Sequence, residues 1–274
     1  MTRDERGIGT AFVRIVVWSL ALLAVLPFLW LVIMSFKTAD DIFAGSSRLV
    51  FKPTLENYQG LFMPDFIRSF ANSAITSLVS TTLALAIGAP GAYALARAAR
   101  RQSRLVGMLI LISRMVPPIA FTIPYFLVYR NIGLLDTRTG LILVYLTFNL
   151  SLVVWLMRGF FEGIPEALEE AARIDGASLW RTFVVIVLPL SAPALVTTAV
   201  LCFLYSWNDF FFALILTRSQ AATTPVQVVN FMNYEGWEWG KIAAGGTLIM
   251  SPVLLLSIAM RRYLVSGMTA GAVK

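Results

Sequence analysis

The chain contains no histidine, a single cysteine, and charged side chains at only 14% of its 274 positions. Without histidine there is no serine–histidine or cysteine–histidine nucleophile pair, and no histidine-ligated catalytic zinc site. The one cysteine, Cys202, forms no intrachain disulfide and, set in an apolar run, reads as a small buried hydrophobe. A glycine-rich phosphate loop ending in Lys-Ser or Lys-Thr is also missing, so the chain is not expected to bind and hydrolyse ATP by itself. Carboxylate pairs with acid–base spacing are missing too. Glu169 and Glu170 are neighbours in sequence, and neighbouring helix residues point in different directions. The expectation is a chain with no catalytic residues and no metal site.

What is present is apolar surface. Hydrophobic residues make up 58% of the chain, far more than a water-soluble domain carries. The surrounding solvent is therefore lipid, and the formal charge of +7 is read as a membrane feature rather than a nucleic-acid footprint. A membrane-spanning helix needs roughly 20 mostly apolar residues. Six stretches qualify: residues 15–36, 69–96, 105–129 and 139–157, a fifth ending near Thr217, and 242–260. The first has too long an uncharged core, and no small-residue cleavage site after it, for a signal peptide, so it reads as a retained span. Backbone groups inside a bilayer must pair within their own segment, so the spans are helices and the fold class is all-α. Along the chain this gives an N-terminal tail, first span and loop (1–68), a five-span core (69–262) and a C-terminal tail (263–274). Gly88, Pro90 and Gly91 predict a kink or a close helix contact late in the second span.

Six spans place both termini on one side. With the termini in the cytoplasm, thirteen Lys and Arg fall inside, eight outside, and Arg114 in the bilayer. The cluster Arg97, Arg100, Arg101 and Arg104 directly after the second span decides the orientation.

Within the spans, two charges stand out. Arg114 lies about 13 Å into its span at 1.5 Å per residue, where a charge needs a partner or water. It either snorkels or pairs with a carbonyl freed by Pro117 or Pro118, or it lines a solute path. Asp209, in Ser206-Trp207-Asn208-Asp209, is the only acid inside a span. It either helps hold helices together or, with Trp207 and Asn208, meets a hydroxyl-rich solute. Asn149 and Tyr205 join Arg114, Trp207, Asn208 and Asp209 as candidate pathway residues. A secondary transporter would need more ion-coupling groups than Arg114 and Asp209, and no internal repeat is evident.

Between the fourth and fifth spans, residues 163–193 break the apolar pattern. Pro165 suits the first turn of a helix, and Glu166, Glu169 and Glu170 suit its positive end. Gly176 is placed to stop that helix, and Ser178 to cap a second one. The predicted topology sets this helical turn, at about residues 164–180, in the cytoplasm.

The same stretch resembles the signature of membrane subunits of binding-protein-dependent ABC importers: Glu170-Ala171-Ala172, then Gly176 flanked by Asp175, then Leu188-Pro189. The Ser206–Asp209 pattern is similar to that of carbohydrate importer permeases, and the tail from Gly267 to Lys274 resembles the second membrane subunit of maltose-type importers. The resemblance implies a type I ABC importer permease fold in a prokaryotic inner membrane. It implies a second, paralogous permease subunit, two ATPase subunits that bind the ATP and Mg, and an extracytoplasmic solute-binding protein. Residues 164–180 would be the coupling helix, with Glu170 touching the ATPase and Ala171, Ala172 and Gly176 permitting close approach. Gly271, Ala272, Val273 and Lys274 would form a second ATPase contact. The solutes it implies include oligosaccharides, monosaccharides and glycerol-phosphate-type compounds.

Overall fold

Helices dominate the computed structural model, which describes residues 3–44, 50–233 and 236–270. In chain order they begin with α1 (Arg3–Ser35), α2 (Ala39–Phe43), α3 (Glu56–Leu61), α4 (Pro64–Ala96) and α5 (Arg100–Met115). A 3-10 turn, Pro118–Phe121, leads into α6 (Thr122–Ile132) and then α7 (Arg138–Glu162). Next come α8 (Glu166–Ile174), α9 (Leu179–Thr182), α10 (Leu188–Leu190), α11 (Ala192–Trp207), α12 (Phe211–Leu216) and α13 (Thr224–Val229). A two-residue antiparallel pair, Met232–Asn233 with Gly236–Trp237, precedes α14 (Trp239–Ala270). The stretch between the fifth and sixth expected spans therefore carries a short helix and this hairpin.

Four helices are long and apolar enough to cross a membrane, and six spans result if each of two bent pairs counts as one. The bends have a sequence cause. A residue preceding proline is pushed out of the helical region, and Val116 and Pro117 are both extended (ψ 124° and 135°). The third span, expected as one interrupted run over residues 105–129, is thus two helices meeting at 89°. The fifth is likewise bent, by 78° between residues 179–190 and 192–207.

The chain forms two compact units, Met1–Pro64 with Val228–Ser251, and Asp65–Gln227 with Pro252–Lys274. In the first, Asn57 Nδ2 donates to the carbonyls of Ser35 (2.9 Å) and Lys37 (2.8 Å), tying α3 to the end of α1. Lys37 is fully buried with its ammonium 5.4 Å from the Trp30 ring and 5.2 Å from Phe51. The aromatic faces offer that charge an electrostatic partner.

In the second unit, α4 presents one continuous buried stripe of small residues, including Ser69, Ser73, Thr76, Ser80, Ala84, Gly88 and Ala92. Small side chains let membrane helices approach closely where no hydrophobic force draws them together. A Cβ at Gly88 would lie 2.7 Å from Cγ1 of Val153 on α7, so the close contact expected there is present. Cys202 is fully buried in the cluster formed with Ala84, Val153, Met157, Phe161 and Val187.

At the junction of α6 and α7, Asp136 holds a clasp. Its carboxylate accepts from the backbone N–H groups of Arg218, Ser219, Gln220 and Ala221, and its own N–H donates to Leu216. Asn72 Nδ2 donates to Gln220 O and Ala222 O, while Arg138 Nε donates to Asn72 Oδ1 at 2.6 Å. Asp136 adopts a left-handed φ of 54°, unusual for a residue with a side chain. Burial pushes its carboxyl up, but the four backbone donors outweigh this and hold it below the ordinary carboxylate value. Its contribution is therefore full above the unfolded-state pKa and lost as pH falls through the lower folded value. Replacing Asp136 by Ala should destabilise the unit by about 2 kcal/mol through the lost charge-assisted hydrogen bonds. Thermal unfolding in detergent checks this, and Asp136→Gly, which relieves the φ but restores no acceptor, should be no more than partly corrective.

Candidate functional site

The two-helix turn between α7 and α11 is built by local chemistry. Pro165, with φ −58° and ψ 127°, is the residue before the helix rather than in its first turn, so α8 starts at Glu166. Gly176 takes the left-handed φ of 81°, and Ala177 N–H donates back to Ala172 O at 2.9 Å, closing the helix in a Schellman pattern. Ser178 Oγ accepts from Arg181 N–H and caps α9. Beyond it, residues 183–187 widen into a π turn in which Leu188 N–H reaches Phe183 O. Pro189 has no N–H to give Val185, so a regular α turn fails at this point.

Which face of α8 points inward is decided by one ion pair. Glu169 has a side chain only 2% exposed; its Oε1 accepts from Arg97 Nη2 (2.6 Å) and Nε (2.9 Å), and its Oε2 accepts from Tyr93 Oη (2.6 Å). Arg97 also donates to the carbonyls of Phe161 (3.0 Å) and Ile164 (3.1 Å) at the end of α7. Arg173 stands 4.0 Å from Glu169 Oε2. Burial pushes the Glu169 carboxyl up; the hydrogen bonds from Arg97 and Tyr93 and the charges of Arg97 and Arg173 outweigh it, so its pKa lies below the ordinary value. Tyr93, Phe161 and Phe183 pack ring to ring around the pair.

Consequently α8 is turned inside out relative to a soluble amphipathic helix. Glu169 and Ala172, three residues apart, face the bundle, while Leu168, Ile174, Leu179 and Trp180 are exposed, Ile174 at 87%. Glu170, Ala171, Asp175 and Gly176 lie on the exposed side, and Glu170 has no ion pair or hydrogen-bonding side-chain partner among the described residues. Ala172, expected to admit an outside partner, instead packs inward, because it shares the face of Glu169. Leu188 is half-buried and Pro189 exposed. A cleft of 310 Å³ beside the turn is lined by Leu168, Ala171, Asp175, Arg181 and Val185 among others. Sequence reasoning missed Arg97, Tyr93 and Glu169 as a unit. The available signal was the first arginine of the cluster, placed at the end of a span. Gly271, Ala272, Val273 and Lys274 lie outside the described residues.

The intramembrane candidates divide: the charges of Asp209 and Arg114 both reach Tyr205, whereas Asn149, Trp207 and Asn208 are taken up in other contacts. Asn149 is fully buried on α7 and donates from Nδ2 to Ser206 Oγ at 2.8 Å. Asp209 accepts from Tyr145 Oη (2.9 Å) and, four residues on, from Ala213 N–H (3.1 Å), so it steadies the start of α12. Trp207, read as a ring for a solute, is instead 1% exposed, packed edge-on to Phe70 and stacked on Phe203. Its large apolar ring is better accommodated in the core than on a wet wall. Asn208 is exposed and donates to its own helix at Leu204 O. Tyr205 is half-buried with its ring 6.0 Å from Phe148. Arg114 sits in the last turn of α5, where the helix dipole favours a cation. Its Nη1 is buried and has no acceptor among the described residues, so the pairing with a carbonyl freed by Pro117 or Pro118 does not form.

Arg97→Gln should destabilise the chain by about 3 kcal/mol, since it leaves the buried Glu169 carboxylate without its cation. Hydrogen exchange at residues 166–174 should rise with it. In the unsubstituted chain, the Glu169 tie is intact above the ordinary carboxylate pKa and is lost as pH falls through the depressed folded value. Protection of α8 should therefore drop in acid, and Glu169→Gln should flatten that pH dependence. Asp209→Asn, which keeps an acceptor oxygen for Tyr145 and Ala213, should melt within about 1 kcal/mol of the parent, whereas Asp209→Leu should lose about 2 kcal/mol.

Residues 88–270 match the family model described as a binding-protein-dependent transport system inner membrane component. The chain is 40% identical over 255 residues to a trehalose transport system permease protein of Mycobacterium tuberculosis, covering 92% of this chain and 93% of that protein. It is 34% identical over 263 residues to a trehalose/maltose transport system permease protein of Thermococcus litoralis, with 93% of each covered. Among solved structures it is similar to a chain of a bacterial ABC transporter involved in the import of the acidic polysaccharide alginate, with a TM-score of 0.78 and 27% identity over 96% of this chain and 98% of that one. With a buried acidic anchor, an apolar outward face and spans broken at proline, the chain belongs to the family of inner membrane components of binding-protein-dependent transport systems.

Proposed function

We propose that the chain is one permease subunit of an ATP-driven carbohydrate importer, and that α8 and α9 form its coupling element. The observation that carries the coupling assignment is the way the turn faces, with Glu169 of α8 inside and Leu168 and Ile174 of α8 and Leu179 and Trp180 of α9 outside. Exposed apolar groups of this kind on a polar connection mark a surface that another protein covers. Glu170, free on the same exposed side, supplies a polar contact to an ATPase subunit, and Asp175 and Arg181 flank the cleft beside it. The carbohydrate class is supported by relatives named for trehalose, trehalose and maltose, and starch degradation products.

In this reading both termini and α8 face the cytoplasm of a prokaryotic cell. A paralogous permease subunit completes the pore, two ATPase subunits bind ATP and Mg, and an extracytoplasmic protein delivers the solute. Closure of the ATPase pair moves α8, and the Glu169–Arg97 tie passes that movement to α4 and α7. A lever of this kind shifts a two-state equilibrium between inward- and outward-facing arrangements only as far as its contacts differ between them. Arg114, with a buried donor unused, and the half-buried Tyr205 are the residues of this chain best placed along the solute path. Asn149 and Asp209 serve mainly to join helices.

Glu170→Lys should abolish solute-stimulated ATP hydrolysis in the assembled complex while leaving membrane insertion and subunit recovery unchanged. Stimulation equal to that of the parent complex would overturn the coupling assignment.

A further inference from the structure

We propose that the groove between α5 and α7 binds the phosphate headgroup of an anionic phospholipid in the cytoplasmic leaflet. The inference rests on the membrane orientation given above. The groove measures 690 Å³ and its polar end carries Arg104, Arg158 and Ser103. Arg158 is held in place there: Nη1 donates to Ser103 O at 2.9 Å and Nε to Glu162 Oε1 at 2.8 Å. A Cβ at Gly107 would fall 2.1 Å from Arg158 Nη1, so the guanidinium lies against α5 where any side chain at this position would displace it. Its remaining nitrogen, Nη2, has no acceptor among the described residues. Arg104 is exposed and makes no ion pair among the described residues, and Ser103 Oγ is buried without a partner.

Glu162 is the one acid lining the groove, and its charge is engaged by Arg158. Two arginines against one carboxylate leave a net positive site, with a free guanidinium edge, a whole second guanidinium and a hydroxyl as donors. Phosphate oxygens match that set. The other end is apolar. Met108, Leu111 and Trp155 are all substantially exposed, and Leu111 lies about 10 Å further along α5 than Arg104 at 1.5 Å per residue. Donors at the membrane surface with an apolar wall running into the bilayer fit a headgroup with its acyl chain, and basic pockets between spans on the cytoplasmic side bind such lipids. A tryptophan at this depth suits the interface.

The test uses the complete complex, reconstituted in nanodiscs of phosphatidylglycerol and phosphatidylcholine in equal amounts, with lipids retained after detergent extraction counted by native mass spectrometry. The parent should retain phosphatidylglycerol preferentially. Arg104→Glu should cut that preference by at least about fivefold, since it removes one arginine at an anionic surface and adds an opposing charge, and Arg104→Lys should keep most of it. Arg104 has no partner to lose among the described residues, so these variants fold as the parent does. Equal retention of the two lipids by the parent, or a preference unchanged in Arg104→Glu, would overturn the site. So would displacement of the retained lipid by inorganic phosphate alone. A membrane-impermeant maleimide on Gln102→Cys reports sidedness separately, since Cys202 is buried. Labelling from the periplasmic face would sink the orientation, whereas cytoplasmic labelling with no lipid preference would sink the lipid site alone.

Discussion

The ion pair between Glu169 and Arg97 decides how one end of the bundle is arranged. A carboxylate with a side chain 2% exposed is tolerable only when every oxygen is met, and here Arg97 and Tyr93 meet both. Because Arg97 also binds the carbonyls of Phe161 and Ile164, a single guanidinium gathers the end of α4, the end of α7 and the body of α8. A short helix fastened at one charged point, with rings of Tyr93, Phe161 and Phe183 around it, moves with the spans rather than independently of them. The same fastening turns Leu168 and Ile174 outward. An inward anchor and an outward apolar face are thus two consequences of one contact.

Proline shapes the rest of the path. Pro117 and Pro118 end α5 and turn the third span through 89°, and Pro189 follows a π turn at the 78° bend of the fifth. Each break frees backbone groups inside the bilayer, where they must find new partners. At the fifth-span break Ser191 gives Val187 O two donors, its backbone N–H at 3.0 Å and its Oγ at 2.7 Å. Polar side chains deeper in the bundle serve the same economy of partners. Asn149 bonds Ser206 and Asp209 bonds Tyr145, so these two polar residues hold helices together, while hydroxyls such as Thr82, Ser151 and Thr247 bond back to their own helix. Arg114, set at a helix end, is the charged residue among those with a buried polar atom left unused.

Much of this was legible in the amino-acid order. The high apolar fraction pointed to a membrane chain, and run lengths pointed to the spans. Gly176 and Ser178 act on their immediate neighbours, through a left-handed φ and a side-chain cap, so the two-helix turn could be read directly. The motif Glu170-Ala171-Ala172, Gly176, Leu188-Pro189 pointed to the family for the same reason.

What the sequence alone determined was therefore everything that depends on local chemistry or on bulk hydropathy: class, span positions, helix stops and caps, and the places where prolines forbid a regular turn. The tertiary structure decided which of two adjacent glutamates is buried, since the partner of Glu169 lies 72 residues away. It decided that Trp207 fills the core, between Phe70 and Phe203, rather than lining a path. It set the bend angles as well. Prolines say where a helix must break, but the direction of the next segment is chosen by packing against helices distant in sequence.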